Sequence, residues 1–193
     1  MTKIEDKILS ELDVRIRNVQ NTFGDENNFP KNQIIRLSMK ILECFKSGGK
    51  IAFVGNGGSA AEAMHLAAEF TGKCVMDHSP LPVMCLNESQ SALTAIANDY
   101  GVEKMFSRLV EAHLNSGDIL IALSTSGKSL NILEAISKAV ERDIQVVLWT
   151  GGKVSKLEKV EIWNVFSEST PRIQEIHLFW GHVIAEIVES NLS

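Results

Sequence analysis

IAFVGNGGSAAEAMHLAAEF, residues 51–70, decides the reading of the fold. Its first five residues form an apolar run ending in glycine, as in a strand buried on both faces. Gly55-Asn56-Gly57-Gly58 supplies a tight turn, and the alanine-rich run from Ser59 supplies a helix. Such a turn presents backbone N–H groups and the positive end of a helix dipole to an anion. The stretch formally fits the dinucleotide pattern G-x-G-x-x-A, with Glu88 as a candidate ribose acid further along than the usual ~20 residues. No GKS or GKT closes the turn, which excludes a Walker-type nucleotide loop. Taken alone, GNGGS is either a ligand cradle or a turn that lets helix and strand pack closely.

Outward from this stretch, apolar strands alternate with helices. The strands expected are IAFVG, LPVMCL, DILIALS, IQVVLW and VEIWNV, with helices near 59–71, 89–97, 103–114, 129–142 and 172–190. Alternation of this kind implies a parallel sheet covered on both faces. The first 48 residues read as two amphipathic helices broken at GDENNFP, an extension that packs on the α/β body (49–193) or on a neighbouring subunit. At 193 residues the chain is expected to be one domain. The last helix, RIQEIHLFWGHVIAEIVESNL, is apolar around most of its circumference and must be buried on most sides. A subunit interface is the reading adopted for it, and a central helix of the monomer is the alternative.

Composition narrows the function. A formal net charge of −5 without a basic run argues against general nucleic-acid binding. There is no uncharged apolar run long enough to span a bilayer, and the charged N-terminus does not read as a signal peptide. Cys44, Cys74 and Cys85 show no CxxC spacing, as expected of reduced thiols in a cytoplasmic protein.

A second strand-to-helix turn favours a sugar phosphate over a dinucleotide. In DILIALSTSGKSLNILEAI, residues 118–136, the hydroxyls of Ser124, Thr125, Ser126 and Ser129 surround Gly127 at a helix N-terminus. Capping needs one hydroxyl. The excess suits a phosphate monoester on a polyol.

GNGGS with M-H-x-x-x-E on the following helix, then AxxNDYG, LSTSGKS and RIQEIH, resembles the phosphoheptose isomerases of the sugar isomerase (SIS) superfamily. The resemblance spans essentially the whole chain. It implies a flavodoxin-like SIS fold with a five-stranded parallel sheet flanked by helices. It also implies a homotetramer with active sites between subunits, which interconverts sedoheptulose 7-phosphate and a D-glycero-D-manno-heptose 7-phosphate. Carried over by motif, the substrate contacts are Asn56, Gly57, Gly58, Ser59, Glu69, Asn98, Asp99, Ser124, Thr125, Ser126, Ser129 and Gln174. His65, Glu69, Gln174 and His182 match the family's metal ligands, with one Zn²⁺ per subunit, and Glu69 and His182 match its acid/base pair. Close relatives that lack the metal-site Glu and the final His are non-catalytic and recruit a DNA-replication initiator. Retention of both residues favours the enzyme.

The chemistry asks for such a set. Aldose–ketose isomerisation needs a base for a carbon-bound proton and an acid or metal for the charge that develops on oxygen. His65 and Glu69, four apart, share one helix face. Gln174 and His182 are eight apart on one helix, ~12 Å along its axis. That spacing predicts a metal site shared between subunits. Glu175 and His177 read as structural or interfacial, and His78 and His113 carry no motif. The chain departs from many family members at Lys73, in the arginine-free CVMDHSP segment, at Pro171 and in the short WTGGKVSKL loop. These departures bear on which sugar is preferred.

Overall fold

A computed structural model describes residues 2–152 and 154–192. Five parallel strands form one sheet: β1 (Ile51–Gly55), β2 (Val83–Cys85), β3 (Ile119–Leu123), β4 (Gln145–Thr150) and β5 (Val160–Asn164). Their spatial order is β2-β1-β3-β4-β5, the flavodoxin-like order. β1 and β3 are buried at every residue, because helices cover both faces and leave no solvated side for polar alternation. Asp118 ties the entries of β1 and β3 together, where Ile51 stands opposite Ile119. Its carboxylate accepts from the Lys50 N–H at 2.9 Å and pairs with the Lys50 ammonium at 2.8 Å.

The helices are α1 (Lys3–Gly24), α2 (Lys31–Lys46), α3 (Gly58–Thr71), α4 (Gln90–Tyr100), α5 (Met105–His113), α6 (Leu130–Glu141) and α7 (Thr170–Glu189). One face of the sheet packs Phe53 and Trp149 against α2, α3 and α7 through Ile41, Phe70 and Trp180. The other packs Leu120 and Leu148 against α5 and α6 through Phe106, Val110, Ile132 and Ile136. The GDENNFP break is closed by the fully buried Asn28. Its amide donates to the Thr22 carbonyl, its side-chain oxygen accepts from the Phe166 N–H, and its carbonyl accepts from the Trp180 indole.

Much of α7 is buried within the chain itself, as in the central-helix alternative. Ile173, Ile176, Trp180, Ile184 and Val188 are buried within the chain itself, and Leu178, Phe179, Val183 and Ile187 pack half-buried on the same core. The sheet face and α1, α2 and α3 pack against it. The sequence alone could not make the distinction, because a helix at the centre of a layered monomer carries the same pattern as one at an interface. The open apolar stripe lies instead on α1, where Ile4, Ile8, Leu12 and Ile16 are exposed. Among the described residues no helix is long and apolar enough to cross a membrane. All three cysteines are free, with Cys44 and Cys85 buried and Cys74 half-buried.

Candidate active site

β1 feeds α3 on one face of the sheet and β3 feeds α6 on the other, so the order of connections reverses between these neighbouring strands. Ligands in open α/β sheets bind outside the carboxyl ends of the strands at this reversal. A cavity of about 180 Å³ lies there, lined by Asn56, Gly58, Ser59, Ser124, Thr125, Ser126, Ser129, Thr170 and Gln174 together with Leu123. The N-terminal ends of α3 and α7 and the N-cap residue of α6 contribute to its wall. Three positive helix ends therefore converge on one small, hydroxyl-rich space.

Local geometry explains why these residues lie open. Gly57 precedes α3 with φ +55°, ψ −121°, a backbone position that L side chains avoid. At Gly58 an added Cβ would come within 2.4 Å of the Gln174 amide nitrogen, so the missing side chain is what admits α7 to the cavity. Ser129 occupies the N-cap of α6 but makes no side-chain capping bond. The Ser126 hydroxyl accepts from the Lys128 N–H at 3.2 Å, and Ser124 is buried. The hydroxyls thus exceed what the helix end consumes.

The residues that hold this arrangement left little trace in the sequence. Asn56 and Asn131 exchange two amide hydrogen bonds, at 2.8 and 2.9 Å, which lock the glycine turn to α6. Asn87 brackets Gly55, accepting from its N–H and donating to its carbonyl. Glu62 is buried on α3, and neither of its oxygens has a hydrogen-bond partner. Burial pushes its pKa to about 7, and the neighbouring Ser59 hydroxyl offsets this only in part. A carboxylate three residues before His65, on an otherwise apolar face, was the one available signal.

A second cluster lies further along α3 and α7. His65 Nε2 is 2.8 Å from His182 Nε2 and 3.3 Å from a Glu69 oxygen. One donor atom from each of the three residues lies within 4.8 Å of the others. Two imidazoles and a carboxylate that leave a position open match the donor set of a catalytic zinc site.

The expected four-residue set divides. His65, Glu69 and His182 meet within one chain, so their gathering needs no second subunit. Gln174 does not join them: its amide donates to the Ser59 hydroxyl at 3.4 Å and lines the cavity, two helical turns from His182. Asn98 and Asp99 are exposed on α4, where the Asn98 amide donates to Asp99, and neither lines the cavity. His177 is fully buried against Trp149 and Trp180.

Comparison with known proteins agrees with this architecture. The family model for the SIS domain matches residues 16–151. A phosphoheptose isomerase from Rhodospirillum rubrum is 47% identical over 154 residues, covering 79% of this chain and 82% of that protein. One from Thermodesulfovibrio yellowstonii is 42% identical over 192 residues, covering 98% and 94%. The solved phosphoheptose isomerase of Neisseria gonorrhoeae superposes with a TM-score of 0.82 at 35% identity, covering 97% of this chain and all of that one (100%). Matched by sequence over nearly its whole length and by structure over the same span, this chain belongs to the phosphoheptose isomerase family of SIS-domain proteins.

Proposed function

We propose that the chain interconverts sedoheptulose 7-phosphate and D-glycero-D-manno-heptose 7-phosphate through an enediol(ate), the first step towards nucleotide-activated heptoses. The observation that carries this reading is the spacing of the two clusters along α7. Gln174 borders the hydroxyl-lined cavity and His182 belongs to the acid/base cluster, and eight helical residues span ~12 Å. A seven-carbon chain can lay its phosphate in the first and carry its C1–C2 end to the second. The hydroxyls and the three helix ends bind the phosphate dianion. Glu69 takes the proton from one carbon, and its half-buried position shields the carboxylate from bulk water. His182 exchanges protons at the neighbouring oxygen, and His65 orients both.

His65, Glu69 and His182 would hold one Zn²⁺, which when bound supplies a Lewis acid for the oxygens of the carbonyl end. The open stripe on α1 supports assembly into a homotetramer, and the chemistry suits the cytoplasm. The initiator-binding alternative has no support among the relatives found.

Purified protein with zinc is expected to convert sedoheptulose 7-phosphate to an aldoheptose phosphate, followed by NMR. Chelation should abolish conversion and zinc should restore it; conversion unchanged in chelator would reject the metal, and no conversion with zinc would reject the reading. Ser124→Ala and Ser126→Ala should chiefly raise KM, each losing about 1–2 kcal/mol of phosphate binding. Normal substrate affinity by calorimetry in both variants would place the phosphate elsewhere.

A further inference from the structure

The segment between α3 and β2 follows directly on Glu69 and contains the arginine-free CVMDHSP stretch. It is fastened to the last turn of α7 by one side chain. The Glu189 carboxylate accepts from three consecutive backbone N–H groups, Cys74 at 2.6 Å and Val75 and Met76 at 3.0 Å each. A fourth bond comes from His78 Nε2 at 3.0 Å. The Glu189 side chain is 1% exposed and that of His78 is 6% exposed. A carboxylate at a helix C-terminus opposes the helix dipole, so these four donors compensate a position that is otherwise unfavourable.

The other ring nitrogen of His78 fixes the protonation state that this arrangement needs. His78 Nδ1 lies 2.7 Å from the Ser79 carbonyl oxygen, a group that only accepts. Glu189 also only accepts. Burial opposes its charge, but the N–H groups of Met76, Cys74 and Val75 and the His78 ring outweigh burial and hold its carboxyl below the usual range. Neutral imidazole donates from one nitrogen only, whereas imidazolium donates from both. With a neutral ring, a lone pair would face an oxygen at hydrogen-bond distance.

We propose that His78 and Glu189 form a proton-dependent latch that clamps segment 73–79 onto the end of α7 while the His78 ring carries both protons and opens when it loses one. The latch borders the site. The Cys74 thiol lies against the Glu69 carboxylate, and the acids acting on this corner are Glu69 from α3 and Glu186 and Glu189 from α7. An open latch frees the residue that packs on Glu69. The direction is set by two losses. The second ring proton is the one that base removes. At strongly acid pH the Glu189 charge goes. The latch is closed between these limits. His78 acts through the segment it holds, as a positioning residue.

Nitrogen-15 NMR of the full chain tests this directly, together with hydrogen-exchange protection of the Cys74, Val75 and Met76 amides. With the latch closed, both His78 ring nitrogens should give protonated signals and all three amides should be protected. Raising the pH until the ring signals convert should lower the three protection factors together, by at least about tenfold. His78→Arg, which keeps its charge, should hold the protection at high pH, and His78→Gln should lose it throughout. A neutral-ring signal with the three amides still protected would overturn the proposal. So would a His78→Arg variant that loses protection along the wild-type pH curve. The effect on turnover rests on the isomerase reading: wild type should lose kcat over the same pH interval in which its ring signals convert, and His78→Arg should lose less. Because the exchange measurement needs no substrate, failure of the latch and failure of the isomerase assignment are told apart.

Discussion

Glu69→Gln should lower isomerisation by 10²–10⁴-fold, roughly 3–5 kcal/mol of transition-state stabilisation, while the chain stays folded. Glutamine keeps the shape and half-buried packing of the side chain and removes its negative charge, and with it both the capacity to take a proton and the anionic contact with Zn²⁺, so the variant is assayed at saturating zinc. Loss of a general base falls on kcat, so KM should change little. Exchange of the ketose's C1 proton with deuterated solvent should fall by the same factor, because the base performs that step. Activity within a factor of three of wild type would exclude Glu69 as the base, since the lower limit of general-base loss is about a hundredfold. The gathering of His65, Glu69 and His182 in one chain adds a stricter test. Assemblies mixed from Glu69→Gln and His182→Ala chains should remain inactive, because each chain brings one broken cluster. Recovery in mixtures shown to exchange subunits would mean that the working site draws these residues from two chains.

Acid should unfold the protein largely through His177. This ring is fully buried between Trp149 and Trp180. Burial pushes its pKa from the ordinary 6.5 to about 3, against the pull of the Thr150 carbonyl. The unfolded chain therefore binds a proton near pH 6.5 that the folded chain refuses until about pH 3. The His177 contribution is intact above pH 6.5 and is lost as pH drops through this interval. The slope approaches about 1.4 kcal/mol per pH unit, and the sum is of order 4–5 kcal/mol. His177→Phe keeps an aromatic ring in the cage and removes the titration. Between pH 6.5 and 4.5 the proton that folded Glu62 takes up offsets the His177 loss. Urea midpoints measured from pH 7 to pH 3.5 should therefore stay nearly level for wild type down to about pH 4.5 and then fall. Those of the variant should rise over the first interval and fall less over the second. Parallel curves would show that another group governs the acid transition.

What the sequence revealed follows from the range of the interactions involved. Each of the five strands was visible because a strand buried on both faces is written as a continuous apolar run, and IAFVG and DILIALS contain little else. GNGGS and STSGKS were visible for a similar reason: turn chemistry is local, and so are the His65/Glu69 spacing and the hydroxyl cluster. The division of the ligand set was not visible. Periodicity showed that Gln174 and His182 could not meet, but only the packing of α7 along α3 shows which partner each one finds. Asn131, Asn87 and Glu189 were passed over because their partners lie 75, 32 and up to 115 residues away. The sequence contains an asparagine or a glutamate there and nothing about its partner. His78 shows the same blindness. It carried no motif, and its place in the molecule depends on a carboxylate 111 residues further on.

The separations that hid these contacts also govern when the cavity can come into being. Lys50 reaches Asp118 across 68 residues, Asn56 reaches Asn131 across 75, and Gln174 reaches Ser59 across 115. Contacts so distant in sequence form late, because the entropy of closing each loop is lost before the contact returns anything. A chain still emerging from the ribosome can assemble the local β3-α6-β4 unit, but its glycine turn has no partner until α6 docks and no third wall until residue 174 arrives. An anion bound in the finished cavity therefore stabilises only the completed fold, not the partly folded states before it, and so also slows the chain's unfolding.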